Sequence, residues 1–211
     1  MADGPLLPKS LLAAAEVVLG SVAELNQLDS YAGDGDFGVT MAKAAQLVKE
    51  VVGAQDGRQG PELLSSCGAA IARGAPSTSG TLTATALLRA AKALAEGGGG
   101  GLPALERCFV AARDAVAARG KASVGDRTVV DGLDAVCTSL GGSVAAGLSL
   151  AAGLQAAARA AAQAAEATAS MLPRVGRASW APERALGHPD AGCTLLAKVL
   201  EAAAQACAEA D

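Results

Sequence analysis

The stretch Leu28-Asp29-Ser30-Tyr31-Ala32-Gly33-Asp34-Gly35-Asp36-Phe37-Gly38-Val39-Thr40 decides how this chain is read. It gathers three aspartates, Asp29, Asp34 and Asp36, into eight residues and interrupts them with two glycines. The run is too polar for a buried strand and too glycine-rich for a helix interior, so it reads as a loop between two apolar-periodic helices. Carboxylates drawn into one loop repel each other unless a cation sits among them. The hard divalent cations Mg2+ and Ca2+ take oxygen ligands, but the spacing and terminal Glu of an EF-hand are missing. From Gly38 onward an apolar-periodic segment opens, and a helix N-terminus with its N–H groups and positive dipole suits phosphate. Carboxylates for Mg2+ beside such an end read as a Mg-nucleotide site, with a solvated Asp-Gly turn as the alternative.

Working outward, the chain is a series of helical patterns. Before the loop, Leu11, Ala15, Val18, Val22 and Leu25 form one apolar face and predict a first helix over 8–27. After it, Met41, Ala44, Ala45 and Val48 predict a second over 39–52, and Pro61 opens a third over 61–73. Ser77-Thr78-Ser79-Gly80 is a small polar loop before a fourth helix, 81–96, and the glycines at 97–101 form a turn. A fifth helix starts near Pro103, and Asp126 reads as the N-cap of a sixth that ends near 140, where Gly141-Gly142-Ser143 turns the chain. The alanine-rich segment 144–171 predicts a seventh, and an eighth runs from 191 to the end after a long loop over 173–189.

Composition agrees. Hydrophobic residues make up 51% of the 211 residues but aromatics only 2%, so the core must be built from Ala, Leu and Val, which favours close-packed helices over sheet. The expectation is a single all-α domain over 1–211, an eight-helix antiparallel up-down barrel or bundle. Short connections make neighbours antiparallel, so alternate loops share an end. One end then collects the aspartates, the Ser-Thr-Ser-Gly turn, Gly125-Asp126-Arg127-Thr128, Gly176-Arg177-Ala178-Ser179 and His188-Pro189-Asp190-Ala191-Gly192. The other end receives only chemically empty turns.

Several classes are disfavoured. A net charge of −4 without a basic patch argues against nucleic acid. No apolar run suggests a membrane span, and Met1-Ala2-Asp3-Gly4-Pro5 lacks the basic segment of a signal peptide. Five cysteines without a Cys-x-x-Cys pair, and one histidine, leave zinc and a disulfide framework improbable. Small core thiols in a reducing cytoplasm are the expectation.

The ordered motifs Asp29 with Gly33-Asp34-Gly35-Asp36, Ser77-Thr78-Ser79-Gly80, Gly120-Lys121-Ala122 with Gly125-Asp126-Arg127-Thr128, Gly176-Arg177-Ala178-Ser179, and His188-Pro189-Asp190-Ala191-Gly192 resemble the nucleotide-binding L domain of dihydroxyacetone kinases. The resemblance covers nearly the whole chain. It implies an eight-helix barrel that holds ADP or ATP through two Mg2+ ions. Asp29, Asp34 and Asp36 would coordinate the metals, and Phe37, Gly38, Val39 and Thr40 would lie along the nucleotide. Thr78 and Ser79 match a phosphate-side loop, whose residue-level alternative is an ordinary N-cap. Gly120 and Val129 match positions lining base and ribose. Arg177 matches a nucleotide-contacting arginine, where the residues alone also allow a solvated basic turn, and Asp190, Ala191 and Gly192 match a loop closing over the nucleotide. No residue is assigned as catalytic. Asp126 reads as a cap rather than a ligand, His188 as structural, and Trp180 as a shield for its loop.

The resemblance implies a phosphotransferase component that passes phosphate to dihydroxyacetone or a related ketose held by a separate substrate-binding kinase subunit. Family members use ATP, or keep ADP bound and have it rephosphorylated by a phosphohistidine carrier protein. Both remain open, the 25–30 run resembling the ATP-using kinases more. A non-catalytic nucleotide-sensing or regulator-binding module is an alternative, as is the nucleotide domain of a kinase for another acceptor such as a fatty acid.

Overall fold

The structure, a computed structural model, describes residues 6–54 and 57–210. The opening Met1-Ala2-Asp3-Gly4-Pro5, two residues of the predicted turn over 53–60, and the last residue of the predicted eighth helix lie outside them. The α-helices are α1 (Leu6–Gly20), α2 (Val22–Ser30), α3 (Phe37–Gly53), α4 (Gly60–Gly74), α5 (Thr78–Gly97), α6 (Gly101–Gly120), α7 (Val129–Ala145), α8 (Leu150–Thr168) and α9 (Ala191–Ala208). Two single 3-10 turns, Arg177–Trp180 and Pro182–Ala185, lie in the segment before α9. No strand occurs among the described residues.

The predicted first helix is two. It breaks at Ser21, and α1 and α2 meet at 61°. The cause is the Gly20-Ser21 pair, a common site of sharp kinks; the Ser21 N–H bonds back only three residues, to the Val18 carbonyl. Counted as one bent rod, α1 and α2 fill the first of eight places. Consecutive rods pack against each other, and α9 returns to α1, so the ring closes as an eight-membered antiparallel barrel. Lys198 of α9 to Glu24 of α2 at 2.9 Å ties across the closure, and Lys49 of α3 to Glu16 of α1 at 2.5 Å joins the first two rods.

The core is aliphatic and small. Val136, Leu140, Leu154, Ala157, Ala161 and Leu200 pack between α7, α8 and α9, while Ala44, Leu63, Cys67, Ile71 and Ala84 fill the opposite side. Alanine lets backbones approach, and Gly153 shows how closely: a Cβ there would run into the Leu102 side chain of α6. All five cysteines are buried and none is in a disulfide. Burial pushes the Cys67 and Cys137 thiols up to about 11. No single helix among the described residues is long and apolar enough to cross a membrane. Only the bent pair α1 and α2 passes that test jointly, and both pack against α3 and α9.

Several further boundaries depart from expectation. Asp126 does not cap α7: Thr128 does, in a capping box in which Asp131 accepts from the Thr128 N–H. Asp126 accepts instead from the Ser123 N–H at 2.8 Å, closing the turn. Helix α7 runs through Gly141 and Gly142 to Ala145, because buried Leu140 and Ser143 on either side hold it. The turn falls at 146–149, and α8 begins only after Ser149 caps the Ala152 N–H. Alanine propensity alone had extended that helix too far at both ends. Finally, Ser77 caps α5, so Thr78 and Ser79 occupy its first turn.

Candidate functional site

The antiparallel ring puts the N-termini of α3, α5, α7 and α9 at one end, beside the C-termini of α2, α4, α6 and α8. Side chains confirm the convergence. Arg177 forms an ion pair with Asp34, and the His188 ring stacks on Tyr31 with centroids 3.4 Å apart and planes within 5°. The Arg174 N–H donates to the Asp126 carbonyl, and the Thr83 hydroxyl of α5 reaches the Met41 sulfur of α3 at 3.8 Å. The loops over 31–36, 121–128 and 169–190 therefore form one connected surface, with the start of α5 beside α3.

Asp29 ends α2 and organises the aspartate loop. Its Oδ2 accepts from the Gly35 N–H at 2.8 Å and the Asp36 N–H at 3.2 Å, while its carbonyl accepts from Gly33 at 2.5 Å. Gly33 is required by this closure, since a Cβ would collide with the Asp29 carboxylate. Asp34 and Asp36 are exposed and Asp29 half-buried; each offers a ligand oxygen, and the three lie within 4.8 Å of one another. Asp36 occupies the N-cap of α3 but makes no capping bond with its side chain, which stays turned to the cluster. The cap bond comes from Asn26, whose Oδ1 accepts from the Val39 N–H at 3.2 Å. Gly38 lies so close to α2 that a Cβ would strike the Val22 carbonyl and Asn26 Oδ1. Of the others in that turn, Val39 is exposed and Phe37 and Thr40 are half-buried.

The other predicted residues also sit at helix ends. In the first turn of α5, Ser77 Oγ accepts from the Gly80 N–H at 3.0 Å and lies 3.2 Å from Ser79 Oγ, while Thr78 is exposed. Gly120 closes α6 against Leu82. Val129 opens α7 and touches α9, where a Cβ on Gly192 would crowd it at 3.1 Å. Asp190 caps α9 by accepting from the Cys193 N–H at 2.8 Å, and its own N–H donates to the Thr168 hydroxyl at 2.8 Å. Burial pushes the Asp190 carboxyl up, opposed by the Cys193 N–H and by nearby Arg127. Ala191 is buried behind it.

Four residues of the site have roles the sequence did not disclose: Asn26, Tyr31, Arg127 and Thr168. Asn26 lies three residues before Asp29, one helical turn away on the same face, and that spacing was available as a signal. Arg127, 6% exposed, donates its Nε to the Thr168 carbonyl at 3.1 Å and Nη2 to the carbonyls of Ala185 and His188 at 3.2 and 2.7 Å. His188 serves the segment twice, its ring on Tyr31 and its carbonyl toward Arg127. Trp180 is 81% exposed, an open position for a residue expected to shield its loop.

The family profile described as the DAK2 domain matches residues 31–205. The chain is 37% identical over 197 residues to an L-erythrulose kinase of Pectobacterium atrosepticum, covering 92% of this chain and 33% of that one. It is 34% identical to the ADP-binding subunit DhaL of the PEP-dependent dihydroxyacetone kinase of Escherichia coli, with 88% of each chain covered. Among solved structures, the dihydroxyacetone kinase of C. freundii in complex with AMP-PNP and Mg2+ superposes with a TM-score of 0.75 at 27% identity, over 95% of this chain and 33% of that one. The chain spans about a third of the length of the first curated relatives it matches.

Proposed function

The chain belongs to the DAK2 domain family, and on that premise we propose that it is the Mg-nucleotide-binding phosphotransfer domain of a ketose kinase. The observation that carries this is the cluster of Asp29, Asp34 and Asp36, with ligand oxygens within 4.8 Å of one another, set at the end of the barrel where four helices begin. The residues fit the group. Three carboxylates without capping duties for Asp36 suit Mg2+, and helix N-termini suit polyphosphate. When bound, two Mg2+ ions would offset the charge of carboxylates and phosphates and stabilise charge on a transferring phosphoryl group.

The chain's own residues then have definite tasks. Asp29 shapes the loop through its bonds to Gly35 and Asp36, and with Asp34 and Asp36 it would hold the metals. Phe37, Gly38, Val39 and Thr40 present the first turn of α3 to ADP or ATP. Thr78 and Ser79 add hydroxyls and N–H groups at the start of α5. Gly120 and Val129 border base and ribose, and Asp190, Ala191 and Gly192 close over them. Arg177, which pairs with Asp34, supplies a planar cation for the nucleotide.

The acceptor, dihydroxyacetone or a related short ketose, is held by a separate substrate-binding subunit or domain. Support lies in the exposed apolar residues Val39, Val124, Leu172, Trp180 and Leu186 around this end, a rim suited to docking. Phosphate arrives on ATP or from a phosphohistidine carrier protein that recharges bound ADP. Five buried cysteines, none of them in a disulfide, support a cytoplasmic setting. Native mass spectrometry of the purified chain with Mg2+ and ADP tests the reading: a complex of one nucleotide and two metal ions is expected. Metal-independent nucleotide binding, or no binding at millimolar Mg-ADP, would overturn it.

A further inference from the structure

Arg127 occupies a position that nothing in the nucleotide chemistry requires of it. Its backbone is left-handed, with φ 58°, a conformation that L side chains rarely adopt and that persists only where surroundings enforce it. Its guanidinium is buried without a carboxylate bonded to it. Three carbonyls receive it: Thr168 at the last turn of α8, and Ala185 and His188 near the end of the 169–190 segment. The C-terminal end of α8 carries partial negative charge, which further suits a cation there. These bonds run from the residue just before Thr128, the cap of α7, to both ends of the segment that carries Arg177 and leads into Asp190. The segment continues to the aspartate loop through His188, whose ring lies on Tyr31. At its two ends the backbone stays tied to the flanking helices, Ala169, Ser170 and Met171 donating into the last turn of α8 and Thr194 of α9 donating to the Asp190 carbonyl; between them Arg174 donates to the Asp126 carbonyl, while Gly187 donates to Ala169 within the segment itself.

We propose that Arg127 is the positioning residue of the site: it clamps the 169–190 segment onto the α7 N-terminus, so that Arg177 and the cap of α9 are held in place before nucleotide arrives. The proposal rests on the nucleotide reading for its functional half. Arg127 touches no reacting atom; it acts through the segment it holds.

The test uses the full chain and the variants Arg127→Gly and Arg127→Lys. Glycine adopts the left-handed backbone readily, so Arg127→Gly removes the side chain without adding backbone strain. Backbone hydrogen exchange is measured over 169–190, with the α4–α5 hairpin as internal control, alongside calorimetry with Mg-ADP. For Arg127→Gly, exchange over 169–190 rises about tenfold or more with the hairpin unchanged. Mg-ADP affinity falls about tenfold to a hundredfold. Added ethylguanidinium restores part of both, and Arg127→Lys, which can reach fewer of the carbonyls, lies between wild type and Arg127→Gly. Unchanged exchange over 169–190 overturns the clamp, as does an increase spread evenly over the whole chain. Faster local exchange with affinity unchanged overturns its role in the site. If wild type itself does not bind Mg-ADP, the nucleotide reading fails, and with it the functional half of the proposal, while the exchange arm still decides whether Arg127 holds the segment.

Discussion

Asp29 and Asp36 share one loop but divide its work. Asp29 spends one carboxylate oxygen on two N–H groups of its own loop, whereas Asp36 makes no capping bond and remains exposed. Asp36→Asn therefore leaves the ligand-free fold intact and relieves repulsion with its neighbours. The expected outcome is an unchanged or higher melting temperature together with loss of at least about tenfold in Mg-ADP affinity, or about 1.4 kcal/mol. Asp29→Ala instead leaves loop N–H groups without their partner and costs about 1–3 kcal/mol of stability. Thermal melts and calorimetry on the two variants separate the roles, and equal melting temperatures for both would contradict the division. The acidic members of this site were legible because carboxylates so concentrated and broken by glycines have few structural explanations. Asn26 and Arg127 were not, because they act on backbone atoms far away in sequence: Asn26 on Val39, thirteen positions on, and Arg127 on carbonyls 41 to 61 positions on.

At the scale of elements, the site depends on how tightly helices are seated. Gly38 lets α3 start against α2, where a Cβ would meet the Val22 carbonyl and Asn26. Backbone cannot yield there as a flexible side chain can, so Gly38→Ala should cost about 2 kcal/mol or more. That corresponds to a drop of roughly 4–8 °C in melting temperature for a chain of this size. It should also lower Mg-ADP affinity by displacing the first turn of α3. Differential scanning calorimetry checks the first effect, and an unchanged melting temperature would show that α2 and α3 separate freely. The existence of each helix was readable from its apolar period, since the faces bearing Met41, Ala44 and Val48, or Leu63, Cys67 and Ile71, bury as their spacing predicts. Their ends were less so. The apolar stripe of α1 continues into α2, so periodicity hides the bend, and only the Gly20-Ser21 pair marks it. Glycines at 141 and 142 looked like a turn, yet packing on both sides overrides their low propensity. Thr128 with Asp131 was a capping signature at hand, masked by Asp126 two residues earlier.

Two predictions belong to the whole barrel, one on its stability and one on the proposed need for a second body in turnover. Stability should fall in alkali. The Cys67 and Cys137 thiols titrate near 11 in the folded chain because burial disfavours thiolate, while in the unfolded chain they ionise lower, near the ordinary ~8.5. The folded state thus binds more protons over that window, so this stability is fully present below about pH 8.5 and is lost as pH rises toward 11, by about 2 kcal/mol per thiol at pH 10. Denaturant midpoints at pH 8 and pH 10 check this, and Cys67→Ala should flatten the dependence. Catalysis is expected to need a second body. Phosphoryl transfer depends on an acceptor held in line with the phosphate, and well-placed reactants gain effective molarities of about 10^5 M or more. Every loop at the functional end is already committed to carboxylates, helix caps or the Arg127 contacts, and its rim is an open ring of exposed residues with Trp180 foremost. The exposed apolar residues of that rim suit a docking partner that brings the ketone. A coupled assay of ADP release should show no ketose-dependent turnover by the purified chain, and turnover once a ketose-holding subunit is added. In the same titration Trp180, the only tryptophan of the chain, should change its fluorescence as the rim is covered. Robust ketose phosphorylation by the chain alone would mean that the acceptor binds within this barrel, and the division of labour would be refuted.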